Sequence, residues 1–328
     1  RAHRPGFLST IQDLGRPGCL KEGLPPSGAL DELAFRLANL LVGNPIEAAA
    51  LELTLWGGEW ECLAGGWVAI AGAEMGAQLN GQPVANWRSL RLARGDRLEL
   101  RSCRNGCRAY LALQGGIEGT LVLGSRSTYL RAGLGGLEGR AIQAGDLLLS
   151  RTAQERGEQS ASPWEEERSA LILDQSSIPI YPNQWTLRFL WGPQEERFPA
   201  EMRAVFSGSA YRVSERHDRM GVRLEGSSLA LLGGSDLLSQ AIPPGAVQIP
   251  ADGQPIMMLA DRQTTGGYAV IATVLGADLW KAGQMKAGDG IHFQPVALEE
   301  ARTAWRDYQA FLSELSVHLH PLPNKSGT

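Results

Sequence analysis

The chain has 328 residues, 43% of them hydrophobic and 20% charged, which suits a soluble folded protein and excludes wholesale disorder. With 35 acidic against 31 basic residues the net charge is −4, so a polyanion-binding surface is not its main business. A chain of this length buries a large core and is expected to form two domains.

No run reaches the ~18 apolar residues that suggest a membrane span, and no secretory signal is visible. The chain opens on Arg1 rather than Met, so a few upstream residues are expected to be missing. The expected location is cytoplasmic, with Cys19, Cys62, Cys103 and Cys107 as reduced thiols. Cys103 and Cys107 flank Arg-Asn-Gly and could face each other across a hairpin, but a zinc site would need a second pair at similar spacing. No metal site is expected, and His318 and His320, in a Pro-containing tail, read as solvated.

In chain order, the first predicted helix spans about 29–42. Ser27 is its N-cap, Asp31 lies in its first turn and Gly43-Asn44-Pro45 ends it. Leu30, Leu33, Leu37, Leu40 and Leu41 form its apolar stripe. Beyond it the period is closer to two. Trp67 to Ile70 reads as a strand, and Gln78-Leu79 leads into Asn80-Gly81, a strong hairpin signal. A unit of strand, Gly-Asp and strand recurs at Leu92–Leu100, Ile142–Leu149 and Met285–Phe293, which suits antiparallel barrels. Residues 151–169 are polar, charged and without periodicity, and read as a linker or surface loop between a domain at 1–150 and one at 170–328. The second helix spans about 298–315, with Leu298, Ala301, Trp305, Tyr308, Leu312 and Leu315 on its packed face. Lys286, after Met285, reads as a turn residue rather than a biotin attachment site.

Four polar segments could carry chemistry. Gln12–Gly18 contains Arg16. Gly23–Asp31 places Ser27 and Gly28 before a helix, where exposed N–H groups could hold an anion, although a well-capped helix explains Ser27 and Asp31 almost as well. Ser214–Gly221 carries Arg216, Asp218 and Arg219, either a solvated ion-pair ladder or a guanidinium fork for a carboxylate or phosphate. The fourth, Asp261-Arg-Gln-Thr-Thr-Gly-Gly-Tyr268, sets five hydrogen-bonding side chains and two glycines between apolar strands, a kit for gripping an amide or carboxylate. There is no Walker loop and no Gly-x-Ser-x-Gly elbow, and Gly133–Gly139 lacks a surrounding βαβ pattern.

Taken together, Gln-Asp-Leu-Gly-Arg-Pro-Gly, Pro-Ser-Gly-Ala-Leu-Asp, Asp218-Arg-Met-Gly-Val-Arg-Leu224 and Ala260–Tyr268 follow one another as in a known family. The chain resembles the C subunit of bacterial ATP-dependent 5-oxoprolinase over roughly residues 5 to 295. The same family includes the antagonist of the sporulation-kinase inhibitor Kip and the second half of the carboxyltransferase domain of urea carboxylase, under the older label allophanate hydrolase subunit 2. Ala269 stands where the resemblance leads one to expect Pro.

The resemblance implies a mainly β protein of two cyclophilin-like β-barrel domains with a few helices. Its implied partners are a Kip-inhibitor-like homologue of the 5-oxoprolinase B subunit, together with the A subunit. It implies no covalently bound cofactor, and ATP used by the complex. Biotin enters only under the alternative of carboxyl transfer, supplied in trans; a regulator of a Kip-like partner is the other alternative. Both amide reactions need a site that accepts from N–H, donates to C=O and stabilises charge on oxygen. On this reading Asp261 accepts from the substrate N–H or acts as general base, and Gln263 donates and accepts at once. Thr264 and Thr265 orient the carbonyl or phosphoryl group, and Tyr268 completes the catalytic set. Gly266 and Gly267 let the backbone approach. Arg16, Ser27, Gly28, Asp31, Asp218 and Arg219 form the substrate or anion-binding set. A cleft between the two barrels would bring these segments together.

Overall fold

The computed structural model describes residues 1–150, 169–233 and 236–321. The first half runs β1 (Ala2–Arg4), β2 (Leu8–Gln12), α1 (Glu32–Leu41), β3 (Ala50–Thr54), β4 (Trp56–Glu61), β5 (Gly66–Gly72), β6 (Gln78–Leu79), β7 (Gln82–Pro83), β8 (Arg88–Leu92), β9 (Arg97–Ser102) and β10 (Arg108–Leu113). There follow β11 (Leu171–Leu173), β12 (Gln184–Trp191), α2 (Ala200–Gly208), β13 (Ala210–Val213), β14 (Gly221–Glu225), β15 (Asp236–Ala241) and β16 (Ala246–Ile249). The chain continues through β17 (Ile256–Met258), β18 (Thr265–Val274), α3 (Leu279–Ala282), β19 (Gly290–Pro295), α4 (Leu298–Glu314) and β20 (Leu319–Pro321). The protein is mainly β, as expected. Among the described residues no helix is long and apolar enough to cross a membrane, and none of the four cysteines forms a disulfide.

The chain divides into two compact units. Unit 1 comprises the described parts of Arg1–Gly15, Glu32–Ile180 and Ser313–Thr328; unit 2 comprises those of Arg16–Asp31 and Tyr181–Leu312. These borders differ from a single boundary near 150, and hydrogen bonding gives the reason. Residues 16–31 bond to Ala260, Arg219, Tyr181 and Gln284 of unit 2. Conversely, β11 pairs with β8 and β20, so it belongs to a sheet of unit 1. The linker expected at 151–169 lies outside the described residues, apart from residue 169. The tail around His318 is not simply solvated: Leu319 pairs with Leu173, and the His318 ring hydrogen-bonds the Ser177 hydroxyl at 3.1 Å.

In unit 1 two sheets, ordered β1-β4-β9-β6-β7 and β2-β3-β10-β5-β8-β11-β20, share one apolar core. Trp60, Leu98 and Leu100 come from the first sheet, and Ile11, Leu51, Leu53, Val68 and Ile70 from the second. The Asn80-Gly81 hairpin forms as read, both residues taking positive φ (51° and 80°) between β6 and β7. Helix α1 buries Leu33, Leu37 and Leu41, and stops where Gly43 takes φ 68°. It starts at Glu32 rather than 29, and Ser27 and Gly28 hold φ 56° and 93°, outside the right-handed helical region. Ser27 is therefore not its N-cap.

Unit 2 is a closed barrel. The strand order is β12-β19-β13-β14-β17-β16-β18-β15, and a further pairing of β12 with β18 closes seven of these strands into a ring. Strand β15 lies outside the ring, paired among the described strands only to β18. Alternation on β12 sends Trp185, Leu187 and Phe189 inward. Phe189, Phe206 of α2, Tyr211 and Phe293 pack with ring centroids 4.6–6.2 Å apart. Burial pushes the Tyr211 phenol up to about 12. Helix α4 buries Ala301 and Leu312, but Leu298 and Trp305 of its expected packed face are half exposed. Trp305 lies over Gly276, where a Cβ would come within 2.7 Å of the ring.

The three Gly-Asp units share one geometry. Gly95, Gly145 and Gly288 take φ between 90° and 94°, a conformation that favours glycine. The following carboxylate accepts from the backbone N–H three residues earlier: Asp96 from Ala93 at 2.7 Å, Asp146 from Gln143 at 2.8 Å and Asp289 from Lys286 at 3.2 Å. Lys286 pairs with Asp289 at 3.3 Å, consistent with its reading as a turn residue.

Candidate functional site

The row of polar side chains after β17 splits in two. The chain turns at Ala260-Asp261 and re-enters a strand at Thr265, so Thr265 to Tyr268 belong to β18 and not to a long loop. Asp261 and Arg262 point inward and are 5% and 1% exposed. Gln263, Thr265 and Tyr268 are exposed, and Thr264 is half-buried.

Asp261 is held from two directions. Its oxygens accept from Arg219 Nε at 2.9 Å and Nη2 at 3.2 Å, a bidentate pair. Its own N–H donates to the Arg219 carbonyl at 3.0 Å. Arg219 Nη2 also donates to the Gly28 carbonyl at 2.7 Å, and the Ser27 N–H donates to the Ala260 carbonyl at 3.3 Å. Three of the four segments singled out in the sequence therefore meet inside unit 2. The Arg219 guanidinium is a fork, as one alternative had it, but the carboxylate it grips is the protein's own Asp261. Engaged in this way, Asp261 can still offer a remaining lone pair as acceptor.

Arg262 is satisfied by backbone carbonyls: Nε donates to Ile242 at 2.8 Å and Nη1 to Leu259 at 3.3 Å. Burial lowers its pKa from the ordinary arginine value. Ile242 N–H in turn donates to Thr264 O at 3.0 Å, which pins the start of β18.

Other members of the expected binding set have structural roles. Asp31 is fully buried and accepts from Tyr181 Oη at 3.0 Å and Gln284 Nε2 at 2.7 Å, so it faces protein rather than a ligand. Gly283 makes this approach possible, since a Cβ there would meet the Leu30 carbonyl at 2.5 Å. Asp218 is exposed and its carboxylate accepts from the N–H groups of Met220 at 2.8 Å and Gly221 at 3.2 Å, a local turn that leaves it outside the buried pair. Arg16 is 1% exposed, and its N–H donates to the Pro26 carbonyl at 2.8 Å, closing residues 16–26 into a loop. Ser27 Oγ is buried, and no described group hydrogen-bonds to it.

The two glycines admit protein rather than ligand. A Cβ at Gly267 would meet the Leu237 carbonyl of β15 at 2.7 Å, and one at Gly266 would meet Ile242 Cδ1 at 2.6 Å. The same Gly266 position lies 3.3 Å from the side-chain nitrogens of both Gln263 and Gln248. Gln248, on β16, was not singled out in the sequence, and neither were Tyr181 and Gln284. The one signal for Gln248 was an amide within the apolar run Ala246-Val-Gln-Ile249.

Unit 2 is thus a β-barrel in which a buried Arg–Asp pair holds the turn that precedes an exposed amide and exposed hydroxyls. The chain belongs to the family described as carboxyltransferase domain, subdomain A and B, whose profile matches residues 22–295. It is 39% identical to the C subunit of the Escherichia coli K12 5-oxoprolinase over 318 residues, covering 97% of each protein. It is also 34% identical over 325 residues to the urea amidolyase of Lachancea kluyveri, covering 95% of this chain and 18% of that protein. Among solved structures, the urea amidolyase of K. lactis superposes with a TM-score of 0.88 at 30% identity. That match covers 100% of this chain and 21% of the urea amidolyase chain.

Proposed function

We propose that this chain is the C subunit of an ATP-dependent 5-oxoprolinase, acting with the A and B subunits to open the lactam of 5-oxo-L-proline to L-glutamate. The observation that carries the reading is end-to-end similarity to the C subunit of a 5-oxoprolinase, with 97% of both proteins covered. The geometry of the Asp261 turn supports it. Gln263 presents a donor and an acceptor, the complement of a lactam N–C=O. Thr265 and Tyr268 add hydroxyls on the same exposed stretch of β18. The buried Arg219–Asp261 pair fixes where that stretch begins, so the polar groups are preorganised rather than recruited. Within the complex ATP supplies activation of the amide oxygen, and the residues of this chain bind and orient the ring.

The second reading is carboxyl transfer to urea or a related amide from carboxybiotin supplied in trans. The family description and the likeness to urea amidolyase favour it. Co-purification with the neighbouring subunits, followed by assays on 5-oxoproline with ATP and on urea with a carboxylated biotin carrier, separates the two. Glutamate formation that needs ATP is expected. Gln263→Ala, at an exposed position, should fold and lower kcat/KM for 5-oxoproline by about tenfold or more. Unchanged kinetics would remove this stretch from the site, and urea-only activity would replace the first reading by the second.

A further inference from the structure

One cavity lies wholly in unit 1, on loops that the proposed reaction does not use. Its volume is about 250 Å³, below the ~300–1,000 Å³ of sites for drug-sized molecules, so it suits a small ligand. Gly15, Gly115, Gly116 and Gly124 line it, each at a turn with φ between 75° and 88°. Two buried side chains hold these turns. Asp13 accepts from the Gly15 N–H at 2.8 Å, the Arg126 N–H at 2.5 Å, and the hydroxyls of Ser125 and Ser127 at 2.6 and 2.5 Å. Asn44 accepts from the Gly115 N–H at 2.7 Å and donates to the Leu113 carbonyl at 2.8 Å. Loops fixed to a barrel in this way keep the cavity open before any ligand arrives. Its lining combines apolar surface from Leu14, Ala49 and Ile117 with one charge of each sign, Arg126 and Glu47. The Arg126 guanidinium hydrogen-bonds no described residue: its Nη2 is 3.6 Å from Glu118 Oε2, beyond hydrogen-bond reach, and its Nε has no partner. A loose, partly exposed pair of that kind contributes little to stability. The backbone of Arg126 is therefore held tightly while its fork is left unused.

We propose that this cavity binds a small carboxylate bearing an N–H group on the adjacent carbon, the carboxylate on Arg126 and the N–H on Glu47. A guanidinium offers a carboxylate two parallel donors. The Glu47 carboxylate accepts from an ammonium or an amide N–H, and the apolar wall takes the methylene groups. Two molecules of the proposed reaction carry this pair of groups, 5-oxo-L-proline with a lactam N–H and L-glutamate with an ammonium. The choice of these two probes rests on the proposed function; the site itself does not.

The test is titration calorimetry of the full chain with 5-oxo-L-proline and with L-glutamate, on the wild type, Arg126→Met, Arg126→Lys and Glu47→Gln. At least one ligand should bind the wild type. Arg126→Met should weaken that binding about tenfold or more at an unchanged Tm, and Arg126→Lys, which keeps the charge but not the fork, should recover part of it. Glu47→Gln tells the two sources apart: an ammonium loses its counter-charge, whereas the amide oxygen of Gln still accepts from a lactam N–H. Binding of neither ligand overturns the proposal, as does an affinity that Arg126→Met leaves unchanged. A Tm lowered in both Arg126 variants also overturns it, since the arginine is then structural. A complex that turns over neither 5-oxoproline nor urea ends the proposed function, and these titrations on the single chain still decide the cavity.

Discussion

The Gly-Asp turns and the Asp261 turn each place an aspartate where the chain reverses, yet they do different work. In the Gly-Asp turns the carboxylate accepts from a backbone N–H three residues away, and glycine at φ near 90° makes the bend. In the other turn Asp261 reaches Arg219, 42 residues distant, and Arg219 reaches Gly28, a further 191 residues away. The first kind closes a local loop, although Asp289 also accepts from Trp185 Nε1, 104 residues away, at 3.0 Å. The second ties remote segments together, and of the residues that follow, Gln263, Thr265 and Tyr268 are exposed. The Gly-Asp turns bend on a glycine in left-handed backbone, whereas the Asp261 turn is held by a buried ion pair.

The largest expected effect comes from breaking the distant tie. Arg219→Met leaves Asp261 buried without its cation and should cost about 3–5 kcal/mol, read as a lowered denaturation midpoint. Adding Asp261→Leu removes the stranded charge and should restore much of that loss, although the Gly28 carbonyl still lacks its donor. A double variant as unstable as the sum of the singles would mean that the pair does not hold the turn.

Glycine substitutions sharpen the contrast at smaller cost. At Gly95 a Cβ meets nothing within 4 Å, so Gly95→Ala acts only through its backbone conformation. It should lower stability by about 1–3 kcal/mol and leave catalysis untouched. Gly266 has no such backbone demand, and its Cβ would press on the end of Ile242 and on two amide nitrogens. Gly266→Ala should cost only about 1 kcal/mol of stability, since an isoleucine methyl can yield, while reducing kcat/KM about tenfold or more. Denaturation and steady-state kinetics on the two variants check the crossover. Equal behaviour would erase the distinction between the turns.

What was legible in the sequence follows the same division. The Asn80-Gly81 hairpin and the end of α1 at Gly43 are local and formed as read; the three Gly-Asp turns form too, but only the first has a strand on both sides, since none spans 142–149 or leads into Gly288. Ser27 was misjudged because its neighbourhood looks like a helix start, while contacts from Ala260 and Arg219 hold residues 27–28 in left-handed backbone. Asp31 had the same fate, claimed by Tyr181 and Gln284 from far along the chain. The polar row at Asp261–Tyr268 was legible as a special segment. Which members face inward was not, because strand alternation begins only at Thr265 and the preceding turn sends Asp261 and Arg262 inside. Helix α2 was missed: it buries only Phe206, so its sequence carries almost no apolar period.

The smallest effect separates the turns by acid. Hydrogen bonds from the Asn80 side chain and the Ala93 N–H hold the Asp96 carboxyl below its usual range. The Arg140 hydrogen bond does the same for Asp146, opposed by burial and aided to a lesser degree by the Gln143 N–H. A carboxylate whose pKa is lower in the folded than in the unfolded protein stabilises the fold above the unfolded value, about 3.9, and that contribution disappears as pH falls through the folded value. The turns at Asp96 and Asp146 should therefore lose this support only below about pH 4. Asp96→Asn should flatten this acid limb of the stability curve slightly while leaving the neutral-pH rate of the complex unchanged. Denaturation curves from pH 7 down to about pH 3 measure it. If Asp96→Asn instead lowers the neutral-pH rate, a Gly-Asp turn reaches the site after all, and local closure no longer distinguishes architecture from function.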